Sequence, residues 1–123
     1  MMHSAVCTIC DVKVELGVDT FEDNKVIYIE FNSLFALFNY EDKTVDDVTM
    51  ALLNTPYRNQ LFIDTIEVYE DHKDYCSKQL WITKDVLLAL KEDSDVPFII
   101  QAIYDFVYQN ENYLILELNK MLD

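Results

Sequence analysis

The stretch from Asp95 to Leu122, DVPFIIQAIYDFVYQNENYLILELNKML, is the longest apolar-rich segment of the chain, and any fold has to bury much of it. Ser94 and Asp95 carry oxygens that accept from the free amides of a helix start, and Pro97 falls in the first turn, where a missing N–H costs little. Val96, Ile99, Ile103 and Phe106 recur at helical spacing, while Phe98, Ile100, Ala102, Val107 and Tyr108 carry apolar surface to the other side. The pattern predicts a central helix covered on more than one face, a break at Gln109 to Asn112, and a second helix from Tyr113 to Leu122 lying back on the core. For Tyr113 to Leu118 a strand fits as well, because short apolar runs do not separate the two.

Ahead of this segment the periodicity is mixed. Ala5 to Leu16 alternates, with Val6, Thr8, Cys10, Val12, Val14 and Leu16 on one side and Asp11, Lys13 and Glu15 on the other, which reads as one half-buried strand. Gly17 to Asn24 is a polar connection, and Lys25 to Phe31 is a second strand, so the pair reads as an antiparallel hairpin with a long loop. Asn32 or Ser33 caps a short helix, Leu34 to Asn39. Thr44 with Asp47 makes a capping box for a helix lined by Val45, Val48 and Leu52, which Asn54, Thr55 and Pro56 stop. Gln60 to Tyr69 and Lys78 to Ile82 read as two more strands around the acidic connection Glu70 to Ser77, and Thr83 caps a helix through Lys91.

These elements make one α+β domain over residues 1–123: a mostly antiparallel sheet of about four strands packed by four to five helices. Ile27, Tyr28 and Ile29 echo Leu80, Trp81 and Ile82, and Leu34, Ala36 and Leu37 echo Leu87, Ala89 and Leu90, as two ββαα halves would. Leu80 to Asn110, an apolar strand leading into a short and then a longer helix, resembles the latter part of the viral BRO amino-terminal domain. That family binds DNA. The charge of this chain contradicts such an activity, and the resemblance is carried no further than the succession of elements.

Charge is the global property that most restricts function. Twenty-three acidic residues against nine basic ones give a net charge of −14, which repels nucleic acid and anionic membranes and favours basic partners. Arg58 is the one arginine, so phosphate readout by clustered guanidinium groups is excluded. A hydrophobic content of 51% excludes intrinsic disorder, and no run of about 18 apolar residues offers a membrane span. MMHSAVCTIC lacks the basic and apolar regions of a secretory signal, which places the expected site of action in the cytoplasm, where three cysteines stay reduced.

Local chemistry is sparse. Cys7 and Cys10, with His72 and Cys76, spell C-x2-C and a distant H-x3-C, donors of the right type for a zinc-stabilised regulatory domain. Residues three apart on a strand point to opposite faces, so the pair converges only if the chain bends there; as plain thiols, Cys10 and Cys76 read as core residues. His72 lies among Glu70, Asp71 and Asp74, which reads as a solvated loop, and the serines lack any nucleophile-elbow context. A single glycine excludes a P-loop and a dinucleotide fold. No enzyme and no cofactor is expected.

The acids gather at Glu41, Asp42, Asp46 and Asp47, at Glu70, Asp71 and Asp74, and at Glu92 and Asp93. Taken singly they read as helix-start and loop carboxylates; summed, they read as a field for a cationic counterpart. Tyr104 and Tyr108, one turn apart around Asp105, add amphipathic contact area of the kind interfaces use, or else sit half-buried at the core edge. The expected function is a small acidic protein-binding module that occupies a basic surface. In its sharpest form it is a nucleic-acid-mimicking inhibitor of phage or viral type acting on a nucleic-acid-binding enzyme. An immunity protein or antitoxin facing a cationic toxin has the same signature, and a homodimer would also cover the apolar helix.

Overall fold

The computed structural model describes residues 2–70 and 73–120, and the side chains of these outside 66–77. The chain is an α+β domain with a five-stranded antiparallel sheet: β1 (Met2–Ile9), β2 (Val12–Asp19), β3 (Tyr28–Glu30), β4 (Leu61–Glu70) and β5 (Lys73–Thr83), in the order β1-β2-β3-β5-β4. Helices α1 (Val45–Leu53), α2 (Lys84–Ala89) and α3 (Pro97–Lys120) and a 3₁₀ segment, Asn32–Leu37, pack against one face. Between the layers lie Val14, Leu16, Val18, Ile29, Leu80 and Ile82 from the sheet and Leu34, Val86, Ile100, Ile103 and Val107 from the helices.

The fifth strand comes from the first segment of the chain, which is a hairpin and not one strand. Cys10 and Asp11 both have positive φ, 50° and 63°, as a two-residue loop matching strand twist requires, and Ile9 pairs with Val12. Such a turn shifts the inward positions from odd to even numbers. Cys7 and Ile9 face the core with Val12 and Val14, whereas Val6, Thr8 and Cys10 are exposed. Cys10 is therefore a turn residue and not a core one. The loop lacks the glycine that usually marks this geometry, and the alternation runs on across it without a visible break.

β2 then pairs antiparallel with β3 through Leu16 to Ile29 and Gly17 to Tyr28, as the second expected strand does. Gly17 lies where the Met2 side chain crosses it; a Cβ there would come within 2.6 Å of Met2 Cγ. On the face away from the helices, Trp81 is 2% exposed with its indole N–H donated to Gln79, and Tyr28 is covered with its ring against Phe62.

The first part of the chain has one strand more than the second. Three strands precede α1 and two follow it. The β3–β5 ladder reaches only from Tyr28/Thr83 to Glu30/Trp81, and the Phe31 N–H extends it by donating to Leu80 O. Asn32 does not cap a helix. Its amide donates to Lys78 O and its carbonyl accepts from Leu80 N–H, so one side chain closes the edge of β5 where a strand would have continued. Among the described residues, β5 before Lys78 pairs with β4 alone, and the outer part of this hairpin is a two-stranded arm.

α1 begins at the expected capping box. Thr44 Oγ1 accepts from Asp47 N–H, and the Asp47 carboxylate accepts from Thr44 N–H. α3 starts at Pro97 as expected, but it runs unbroken to Lys120. Ile100, Ile103, Val107, Leu114 and Leu118 form its inner row, and Glu111 falls in that row at the expected break. Lys84 Nζ meets Glu111 at 3.5 Å, and Asn110 Nδ2 donates to Phe106 O, so the inward polar groups have partners and the helix continues. Its outer side is open: Phe98, Tyr108, Tyr113 and Leu116 are exposed, so α3 is covered on one side only. No helix among the described residues is long and apolar enough to cross a membrane.

Candidate functional site

Two of the acidic clusters meet. The chain leaving the 3₁₀ segment bridges from Phe38 to Ser94 in antiparallel register, and Asn39 N–H donates to Asp93 O at 2.8 Å. Ser94 Oγ donates to Leu37 O and accepts from Val96 N–H, while Asp95 N–H donates to the same Leu37 carbonyl. These bonds hold residues 40–43 beside residues 92–95. Glu41, Asp42, Glu92, Asp93 and Asp95 are all exposed there, with Asp46 and Asp47 following at the start of α1.

Tyr40 organises this surface, and the sequence reading missed it. Its ring lies 5.5 Å from that of Phe38 at 8° and 5.5 Å from that of Phe35 at 27°, so it stacks on a column rooted in the core through Phe31. Its hydroxyl donates to Asp93 Oδ2 at 3.1 Å, and Lys43 Nζ stands 5.7 Å from the ring centre. The available signal was the aromatic spacing of Phe31, Phe35, Phe38 and Tyr40, leading straight into Glu41 and Asp42.

The carboxylates are little relieved. Asp47 serves the α1 cap and Asp93 accepts from Tyr40, but among the described residues Glu41, Asp42, Asp46, Glu92 and Asp95 form no ion pair. Lys91, the nearest lysine in the second segment, gives its ammonium to Gln101 Oε1 at 2.9 Å.

The other expected residues are placed differently. Tyr104 and Tyr108 stack at 6.0 Å, Tyr104 half-buried and Tyr108 exposed. They lie one and two turns beyond Gln101 on α3, Tyr108 roughly 10 Å along the axis, and among the described residues make no hydrogen bond or ring contact with the acidic residues of 41–47 or 92–95. Glu70 and Asp74 occupy backbone positions at the end of the β4–β5 arm, their side chains outside the described residues, as is Asp71 altogether. Glu70 and Asp74 thus lie on a different part of the fold from Glu41, Asp42, Glu92 and Asp93.

The zinc ligand set is not brought together by the backbone. β1, which carries Cys7, is three strand spacings from β5, which carries Cys76, roughly 14 Å. Cys10 sits in the turn, and His72 lies outside the described residues, as does the Cys76 side chain. Burial pushes the Cys7 thiol up, away from the thiolate form that binds metal or attacks. Among the described residues no group of three or more His, Cys, Asp or Glu is placed to hold a metal ion.

Two tyrosines, Tyr40 in the site and Tyr28 on the face of the sheet away from the helices, give the fold a pH signature. Burial and then the nearby Asp93 push the Tyr40 hydroxyl well above the ordinary tyrosine value, and burial and then the hydrogen bond to Glu22 do the same for Tyr28. The folded state keeps protons that the unfolded chain releases above about pH 10, so stability falls as pH rises past that point. Alkaline titration followed by tyrosinate absorbance is expected to show two rings ionising late. The double variant Tyr28→Phe, Tyr40→Phe should show a shallower alkaline fall in melting temperature than the parent.

The chain matches no known family, no curated protein and no solved structure, so the likeness of residues 80–110 to the BRO domain gains no support.

Proposed function

We propose that the protein is a small cytoplasmic binding module that docks its 41–47 and 92–95 surface onto a basic patch of another protein, as an inhibitor standing in for nucleic acid. The observation that carries the reading is the joining of two acid-bearing segments, distant in sequence, by main-chain and Ser94 hydrogen bonds into one surface. Helix capping accounts for Asp47, the first turn of α1 for Asp46 and the tyrosine contact for Asp93; Glu41, Asp42, Glu92 and Asp95 form no ion pair among the described residues and repel one another. Such a field fits a partner whose Lys and Arg ordinarily meet phosphates, because a carboxylate accepts the same charge-assisted hydrogen bonds. Tyr40, fixed on the Phe38 ring, gives those acids a rigid floor. A binder of this kind needs no catalytic group and no cofactor.

The test separates placement from net charge. The triple variant Glu41→Gln, Asp42→Asn, Glu92→Gln and the control Asp11→Asn, Asp23→Asn, Asp85→Asn each remove three exposed acids, and each moves the net charge from −14 to −11. In affinity capture from host lysate, the parent is expected to retain a basic nucleic-acid-binding protein that DNA or RNA displaces and that elutes as salt rises past about 0.15 M. The first triple should lower that affinity by about tenfold or more and the control by less than about twofold. Equal losses in both variants, or capture of nothing basic, would overturn the reading.

A further inference from the structure

Beside the acidic surface lies an open groove of about 330 Å³ between α1 and the base of the β4–β5 arm. Along α1 its wall is Asp46, Met50 and Leu53, a single row at i, i+4 and i+7; its floor is Ile63 of β4 with Leu80 of β5. Met50 is 61% exposed and Ile63 43%, so both apolar side chains are open to a partner. Thr49, next to this row, gives its hydroxyl to Val45 O at 2.8 Å and leaves its methyl as lining. The groove is therefore mostly apolar, with a carboxylate at the α1 start and Lys78 and Gln79 on the β5 side.

We propose that this groove takes a bulky apolar side chain of the basic partner, flanked in that partner by lysine or arginine. The inference rests on the proposed function and adds the anchor that function leaves unnamed. Charge selects the occupant: Asp46 closes one end of the groove, Asp47 is beside it, and Glu41 and Asp42 precede them by a few residues, so a segment seated here lays its flanking cations on the acidic surface. A second copy of the chain would bring another net charge of −14 against the same rim. The volume is at the small end of the range of about 300–1,000 Å³ that holds whole small ligands, and it suits one or two side chains of a hot-spot kind. A basic segment with an apolar anchor gains adhesion from the groove and orientation from the acids, whereas an evenly charged polymer gains only the second.

Two synthetic peptides of equal length and equal positive charge test this, one with a leucine between lysines and one with serine in its place. Binding is followed by titration and by the methyl signal of labelled Met50. The leucine peptide should bind about tenfold more tightly, which corresponds to about 1.4 kcal/mol, and should move the Met50 signal while the serine peptide does not. The variant Met50→Ser, Ile63→Thr changes only exposed positions and should erase the difference while leaving serine-peptide affinity in place. Lys78→Gln should tighten both peptides. Equal affinities with an unmoved Met50 signal overturn the groove while leaving the acidic surface intact. Binding of neither peptide at low salt overturns the proposed function and the groove together. A Met50 signal that shifts with protein concentration alone assigns the groove to a second copy, against the proposal.

Discussion

Phe31→Ala is expected to lower the free energy of unfolding by about 3–5 kcal/mol, the range for deleting a buried ring and leaving a cavity. A domain of this size is stable by roughly 5–15 kcal/mol, so the loss is a large share of the whole. Phe31 is fully buried and joins three parts of the fold. Its N–H donates to Leu80 O where the β3 ladder ends, and its ring lies 6.1 Å from Phe35, edge-on, and 5.3 Å from Phe38. Those two rings support Tyr40, whose hydroxyl holds Asp93. The damage should therefore reach the acidic surface. Urea unfolding measures the first effect, and affinity for a basic partner at a temperature where the variant is still folded measures the second. Phe31→Leu, which keeps much of the volume and the anchoring N–H, should recover most of both. A loss under about 1 kcal/mol for the alanine variant would mean that the column of rings does not bear on the core in the way described.

Local chemistry made some elements legible in the sequence and hid others. Thr44 with Asp47, Thr83 before its helix, and Pro97 in a first turn each concern bonds between residues a few positions apart, and all three mark helix starts in the structure. The turn at Cys10 and Asp11 escaped because two non-glycine residues adopt positive φ and the alternation gives no sign of it. Asn32 looked like a cap because asparagine favours caps, yet its amide is used across the sheet on Lys78 and Leu80. The acidic residues were legible by name alone. That Glu41 and Asp42 come to lie beside Glu92 and Asp93, while Glu70 and Asp74 go to the end of an arm, depends on the Phe38–Ser94 bridge and on strand order. Tyr40 was marked only by its spacing from Phe31, Phe35 and Phe38, since its role comes from the rings beneath it and a carboxylate from a distant segment.

Asn110→Pro is the substitution that best separates one long α3 from two helices joined at residues 109–112. In a continuous helix the residue 110 N–H bonds to Phe106 O, and proline removes that bond and drives its ring against the same carbonyl, at a cost of about 3 kcal/mol or more. The substitution also deletes the Asn110 amide that donates to Phe106 O. In a connecting loop whose backbone angles suit it, the same proline would stiffen the unfolded chain and add roughly 0.4–1 kcal/mol of stability. Asn110→Ala separates the two losses, because alanine keeps the helix N–H and removes only the side-chain bond; it should be near neutral. Urea unfolding read by far-ultraviolet circular dichroism decides, and a proline variant as stable as the parent would break α3 at this point. The acidic surface hangs on the first turns of the helix, through Val96 to Ser94 and Gln101 to Lys91. A folded Asn110→Pro protein should accordingly keep its affinity for a basic partner while losing stability, the opposite pattern to the Glu41, Asp42 and Glu92 triple variant.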